Sequence, residues 1–64
     1  MQKKVEKIEF FRDASYFEIV DASTRAIKGI LIENPEFRLI TFETYVHYSN
    51  DYVKVYATLE KETD

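Results

Sequence analysis

The sequence predicts an all-β protein, a five-stranded antiparallel meander whose sheet can curl into a small barrel. Three observations predict this fold class. Apolar and polar residues alternate through most of residues 37–60, turn-forming residues separate the runs, and the pairing registers that the turns impose agree with one another. The alternative is an α+β fold of the order βαββ, in which a helix covers residues 16–33.

The clearest element is a hairpin between residues 37 and 60. One face of it consists of Ile40, Phe42, Thr44, Val46 and Tyr48 in the first half and the apolar residues Val53, Val55, Ala57 and Leu59 in the second half. A loop of two or four residues around Asn50-Asp51 places both halves of this face on the same side of the sheet. A three-residue loop would instead set apolar residues against polar ones. With a two-residue loop, Val46 pairs with Val55.

The chain before this hairpin adds three more strands to the meander. The first strand covers residues 5–12, a second hairpin has strands at residues 16–21 and 25–33, and a turn at residues 34–37 leads into the last hairpin. In this register Asp21 lies opposite Arg25, which is a favourable cross-strand pair of opposite charges. Pro35 cannot donate a backbone hydrogen bond, so it belongs in the turn.

Residues 16–33 are also compatible with a helix. Ser15 and Glu18 have the spacing of a capping box, and a helical apolar stripe comprises Phe17, Val20, Thr24, Ile27 and Leu31. Against the helix, the segment is rich in β-branched and aromatic residues, and Gly29 in its interior costs about 1 kcal/mol relative to alanine. We therefore favour the meander. Its predicted core face comprises Ile8, Phe10, Phe17, Ile19, Ile27, Leu31, Ile40, Phe42, Val46, Val53, Val55 and Leu59.

Composition limits the classes of function. The 64 residues form a single domain, with residues 1–4 and 61–64 expected to fray. The chain has no cysteine, one histidine and one glycine, which excludes disulfides, thiolate or multi-histidine metal sites and glycine-rich phosphate loops. The net charge of −3 disfavours non-specific binding to nucleic acid. No apolar run is long enough to cross a membrane, and the lack of cysteine fits a cytoplasmic protein.

A chain of this size is marginally stable alone, and oligomerisation is the remaining means of stabilising it. Both faces of the predicted sheet carry apolar residues, which a small monomer rarely exposes. We therefore expect a non-enzymatic protein-interaction or assembly module that forms a homodimer or a higher oligomer and binds an unidentified protein partner. The candidate interaction surface consists of Phe11, Tyr16, Ile30, Tyr45, His47, Tyr52, Lys54 and Tyr56.

Two other functions are weaker interpretations. A single-stranded nucleic-acid binder would stack bases and hold phosphates with five side chains, namely Tyr45, Tyr52, Tyr56, Arg38 and Lys54. The acidic total opposes that function. An enzyme would need His47 and Glu43 to act together beside a nucleophile, and no serine is well placed for this role. We therefore predict no catalytic residue, no cofactor and no metal site.

Overall fold

The computed structural model describes residues 1–62 and shows an α+β architecture. The elements are β1 (Gln2–Phe10), α1 (Tyr16–Glu33), β2 (Arg38–His47) and β3 (Tyr52–Glu60), with a 3₁₀ turn at Tyr48–Asn50. The three strands form one sheet in the order β1-β3-β2, and both pairings are antiparallel. The last strand is therefore the central one, and the helix packs across one face of the sheet.

The predicted five-stranded meander is wrong, and the βαββ alternative is confirmed. Residues 16–33 form a single helix rather than a second hairpin. Half of the predicted capping box forms, because the Glu18 backbone N–H donates to Ser15 Oγ over 3.3 Å. The Glu18 carboxylate does not close the box on Ser15. It accepts from the Arg12 backbone N–H at 2.8 Å instead, so it fixes the chain just before the helix.

Small residues allow α1 to lie close to the sheet. Ala22 and Ala26 have no exposed surface, and Ile30, one turn further on, is 2% exposed. These positions are spaced by four residues and therefore form one stripe along the helix. The stripe packs on the apolar face of β3, which comprises Val53, Val55, Ala57 and Leu59. Burial of this stripe outweighs the poor helix propensity of the flanking residues, since tertiary packing supplies most helical stability.

The observed core contains only some of the residues that were predicted for it. Val53, Val55 and Leu59 are buried as predicted, whereas Ile8, Phe10, Phe17, Ile40 and Phe42 are between 41% and 83% exposed. The prediction for the first strand placed the wrong face inward, because it assumed pairing with a second strand rather than cover by a helix. The buried residues that the prediction left out of the core are Phe11, Ala22, Ala26, Ile30 and Ala57.

The connection between β2 and β3 has an even number of residues, as predicted. A four-residue connection separates the last pair, His47 with Tyr52, so apolar residues of both strands face α1. The pairing that a two-residue loop would give is wrong by two residues, because Val46 lies opposite Val53 rather than Val55. Within the connection, Asp51 adopts a left-handed conformation with φ of 57°, which Asp tolerates better than most residues.

Met1 and Lys61 hydrogen-bond to each other beside the paired ends of β1 and β3. β1 begins at Gln2, so residues 2–4 belong to the sheet rather than to a frayed start. The Met1 amino group donates to Lys61 O at 3.1 Å, and the Lys61 N–H donates to Met1 O at 2.9 Å. The predicted fraying of residues 61–64 falls partly on residues 63 and 64, which lie outside the described residues.

Gly29 allows the Lys7 side chain to lie close to α1. We expect replacement of Gly29 by alanine to stabilise the protein. A Cβ added at Gly29 would lie 2.6 Å from Lys7 Cε, and Lys7 Nζ lies 3.2 Å from Glu33 Oε1. The Gly29→Ala variant gains about 1 kcal/mol of helix propensity and loses an exposed ion pair worth about 0–1 kcal/mol. We expect urea unfolding to show a gain of up to about 1 kcal/mol.

The matched control for this variant is the same substitution in a Lys7→Ala background. There the added methyl group meets no lysine, so the gain should reach the full propensity difference. A loss of stability in both backgrounds would contradict this account.

Ser15 provides a second test of the helix start. We expect Ser15→Ala to lower the free energy of unfolding by about 1 kcal/mol, because the Glu18 N–H loses its partner. Ser15→Asp retains a capping oxygen and should lose much less. Thermal or urea unfolding measures both variants, and equal losses would show that the cap contributes nothing.

Candidate interaction surface

The face of the sheet opposite α1 is uncovered by any other element of the described chain. Strand alternation places Tyr52, Lys54 and Tyr56 on this side, because Val53 and Val55 face the helix. We call this surface the open face. It comprises Gln2, Lys4, Glu6, Ile8 and Phe10 of β1, Arg38, Thr41, Glu43, Tyr45 and His47 of β2, and Tyr52, Lys54, Tyr56, Thr58 and Glu60 of β3.

Three rings form a row across all three strands at one end of the open face. Tyr52 of the central strand pairs with Phe10 on one side and with His47 on the other. The Phe10 and Tyr52 rings meet edge to face with centroids 5.8 Å apart. The His47 and Tyr52 rings are stacked at 4.5 Å with an interplanar angle of 27°. This row is a continuous aromatic patch across the sheet, because the Tyr52 ring contacts a ring on each neighbouring strand.

A second aromatic cluster occupies the middle of the open face. The Tyr45 and Tyr56 rings meet edge to face at 5.5 Å, and Lys54 Nζ lies 5.5 Å from the Tyr56 centroid. The Tyr45 hydroxyl donates a 2.7 Å hydrogen bond to Glu43 Oε2. That hydrogen bond, together with the negative charge of Glu43, raises the pKa of the Tyr45 hydroxyl above its ordinary value.

The open face has a depression that crosses all three strands. The depression has a volume of about 840 Å³, is open to solvent, and is lined in part by Glu43, Tyr45, His47 and Tyr56. Small-molecule sites usually enclose their ligand and bury most of its surface. A wide and open depression with aromatic walls is better suited to a protein surface than to an enclosed small molecule.

The open face carries no net charge although the whole chain carries −3. It has three cationic and three acidic side chains: Lys4, Arg38 and Lys54, and Glu6, Glu43 and Glu60. Arg38 lies 2.8 Å from Glu60, and Lys54 lies 3.9 Å from Glu6. Two of the three cationic side chains therefore lie beside a carboxylate, while Glu6 and Glu43 flank Tyr56 from the two edge strands.

The structure brings together five of the eight residues of the sequence-predicted surface. Tyr45, His47, Tyr52, Lys54 and Tyr56 all lie on the open face.

The other three residues lie elsewhere. Phe11 and Ile30 are buried, at 5% and 2% exposure, and belong to the core of the monomer rather than to the open face. Tyr16 lies on α1, across the sheet from the open face, with 76% of its surface exposed.

Sequence reasoning missed two apolar residues of the open face, Ile8 and Phe10, which are 41% and 67% exposed. Alternation along β1 pointed to the wrong face, because it favours the apolar Ile8 and Phe10 in the core and the charged Lys7 and Glu9 in solvent. Lys7 and Glu9 alternate with these two residues, and helix residues of opposite charge lie within ion-pair distance of both. A helix over this face would have turned Ile8 and Phe10 to the other side.

We expect Tyr45 to ionise at a higher pH than a free tyrosine, because its neutral hydroxyl donates to Glu43. A raised pKa in the folded state contributes stability that is complete below the unfolded value of about 10 and is lost as the pH rises through the folded value. Glu43→Ala should lower the pKa of Tyr45 and remove this contribution. Ring-carbon NMR shifts between pH 9 and 12 measure it, with Glu62→Ala as the control, and an unchanged titration in Glu43→Ala would refute the assignment.

Within residues 1–62, no helix has the length and hydropathy that a membrane crossing requires. The same residues contain no group of three or more histidine or acidic side chains placed to hold a metal ion. Comparison of the chain with protein-family models, with curated proteins and with solved structures found no match.

Proposed function

We propose that this chain is a non-enzymatic assembly module that self-associates through the open face. The observation that carries the proposal is a set of exposed aromatic rings on a sheet face without net charge, in a chain that is otherwise acidic. Tyrosine is enriched in protein interfaces, because it contributes a large contact area and a polar tip. Neutrality allows two copies of the same face to meet without repulsion.

The shape of the monomer supports a need for a partner. The chain exposes 4678 Å² of surface, whereas a compact monomer of this mass exposes roughly 4300 Å². Its principal extents are 45 × 15 × 14 Å, so it is a rod rather than a sphere. A rod exposes more surface than a sphere of the same volume, and the exposed surface of this chain includes apolar rings.

The open face is large enough for a small specific interface. β3 has nine residues, which span about 30 Å at ~3.3 Å per residue. With a width of about 15 Å, the face covers roughly 450 Å² in projection, and side-chain relief brings it towards the ~600 Å² per partner at the lower end of specific interfaces. Two such faces would pack about 10 Å apart, as sheets do in sandwiches.

The contacts of the face weigh against the nucleic-acid alternative. Arg38 and Lys54, which would hold phosphates, lie beside the carboxylates of Glu60 and Glu6. Glu43 adds a further negative charge next to Tyr45. Phosphate binding would require displacing these carboxylates, and it gains nothing from the chain's net charge.

The contacts of His47 also weigh against an enzyme. Its ring is stacked on Tyr52, and the Glu43 carboxylate accepts from Tyr45 rather than from His47. A general base needs a carboxylate or carbonyl that orients it and a nucleophile within reach. The module is therefore proposed to act by binding, in the reducing cytoplasm that a cysteine-free chain fits, where an unidentified protein partner would bind the assembled form.

Tyr45→Glu tests the proposed interface. The new carboxylate lies opposite Lys54 in the ladder, so the monomer should remain folded, whereas two copies would now bring like charges together. We expect the dissociation constant of the oligomer to rise at least tenfold, or about 1.4 kcal/mol. Sedimentation velocity over a concentration series measures it, and far-UV circular dichroism checks folding.

Tyr16→Glu is the matched control, because it makes the same substitution at a more exposed tyrosine away from the open face. A glutamate is also tolerated in the first turn of a helix. A wild-type chain that stays monomeric at high micromolar concentration would reject the proposal, as would equal effects of the two variants. Quenching of tyrosine fluorescence by a single-stranded oligonucleotide at low salt would instead support the nucleic-acid alternative.

A further inference from the structure

The two edge strands of the sheet, β1 and β2, differ in how well they are protected against pairing with another chain. Charged residues and proline normally prevent an edge from pairing with another chain. β1 carries five charged residues among nine, namely Lys3, Lys4, Glu6, Lys7 and Glu9. β2 is one residue longer and carries only Arg38 and Glu43, with no proline and no glycine. The β2 edge therefore has little protection by charge and none by proline, although it has a bulge between Leu39 and Thr41.

The helix adds to the protection of β1. Glu33 lies 3.2 Å from Lys7, and Arg25 Nε lies 3.3 Å from Glu9. Arg25 Nη2 also donates to the Phe10 carbonyl at 2.9 Å. These contacts hold α1 towards β1, so that it covers β1 and β3 and is offset from β2.

The same offset leaves apolar surface beside β2. Phe42, which pairs with Ala57 and so faces the helix side, is 46% exposed. On the helix, a rotation of 100° per residue places Val20 across the buried stripe from Arg25 and therefore on the β2 side. Val20 is 43% exposed. Ile40, which has no partner in β3 because of a bulge, is 45% exposed.

We propose that β2 pairs antiparallel with β2 of a second copy, so that two sheets join into one of six strands in the order β1-β3-β2-β2-β3-β1. A two-fold axis perpendicular to the sheet beside Phe42 places the two Phe42 rings next to each other, with Val20 of each copy on the same side. β2 carries one positive and one negative charge, so the paired strands do not repel. The axis beside Phe42 also sets Glu43 opposite Thr41 rather than opposite its own copy.

This edge pairing is independent of the open face, because it uses backbone groups of β2 and the helix side of the sheet. Both contacts can exist at once, since one joins sheets side by side and the other stacks them. An assembly that uses both would contain more than two copies. The two contacts can therefore be lost separately.

Hydrogen exchange followed by NMR tests the edge directly. The backbone N–H groups of β2 that do not bond to β3 should become at least tenfold more protected as the concentration rises from low to high micromolar. The outward N–H groups of β1 should not change. Packing through the open face alone would leave the free edge of β2 exposed to solvent, so it would not produce this pattern.

Ile40→Lys is the variant that should abolish the protection of β2. Ile40 has no partner in β3, so the substitution leaves the ladder of the monomer intact. Ile32→Lys is the matched control, because Ile32 is 78% exposed on α1 and lies on the opposite side of the helix from Val20. Sedimentation velocity should show a smaller assembly for Ile40→Lys and an unchanged one for Ile32→Lys.

The outcomes separate the two proposals. Protection of β2 that persists in Tyr45→Glu, where association through the open face is weakened, supports the edge contact by itself. Protection of β2 in the wild-type protein that does not depend on concentration overturns the edge contact, whether or not Ile40→Lys folds. Equal assembly of Ile40→Lys and Ile32→Lys overturns it as well, and leaves the open-face proposal to its own test.

Discussion

The close packing of α1 on β3 is the contact on which the rest of the structure depends. Ala22 and Ala26 have no exposed surface, and they bring the helix backbone near the central strand, where Val55 and Leu59 are also fully buried. Because β3 lies between the other two strands, a helix that packs on it organises the whole sheet. A single helix covers only one face, however. The open face is therefore a direct consequence of the way the core is built.

The lateral position of the helix depends on weaker contacts. The ion pairs of Lys7 with Glu33 and of Arg25 with Glu9 join α1 to β1, and each contributes little to stability because it is exposed to solvent. Gly29 allows the Lys7 side chain to pass close to the helix backbone. Together these contacts decide which edge strand is covered. They leave exposed apolar residues beside β2, whose edge carries only two charges, Arg38 and Glu43, although they contribute little to the hydrophobic core.

Part of the fold could be predicted from sequence, and the errors have identifiable physical causes. Hairpin parity was predictable because a one-residue slip would have exposed the whole apolar face of β3. The helix was misjudged because local propensity opposed it, and because Asp21 and Arg25 are compatible with both structures. They form an ion pair within the helix, and they would also have been opposite in a hairpin. The four-residue spacing of Ala22, Ala26 and Ile30 also left the choice open, because a helix places these positions on one stripe and a strand places them on one face.

The mistaken prediction of a hairpin over residues 16–33 also explains which part of the candidate surface was predictable. Tyr45, Tyr52 and Tyr56 were assigned correctly to one face because their strands were predicted correctly. Phe10 was predicted to be buried and Phe11 to be exposed, and the structure shows the reverse, because the predicted partner of the first strand was wrong. The finished core is small and the chain has no disulfide, so association that buries the tyrosines would also stabilise the fold by mass action. In such a chain, the free energy of association would add to the free energy of folding. In the proposed assembly, the exposed aromatic rings of the open face would be buried against a second copy and would extend the core.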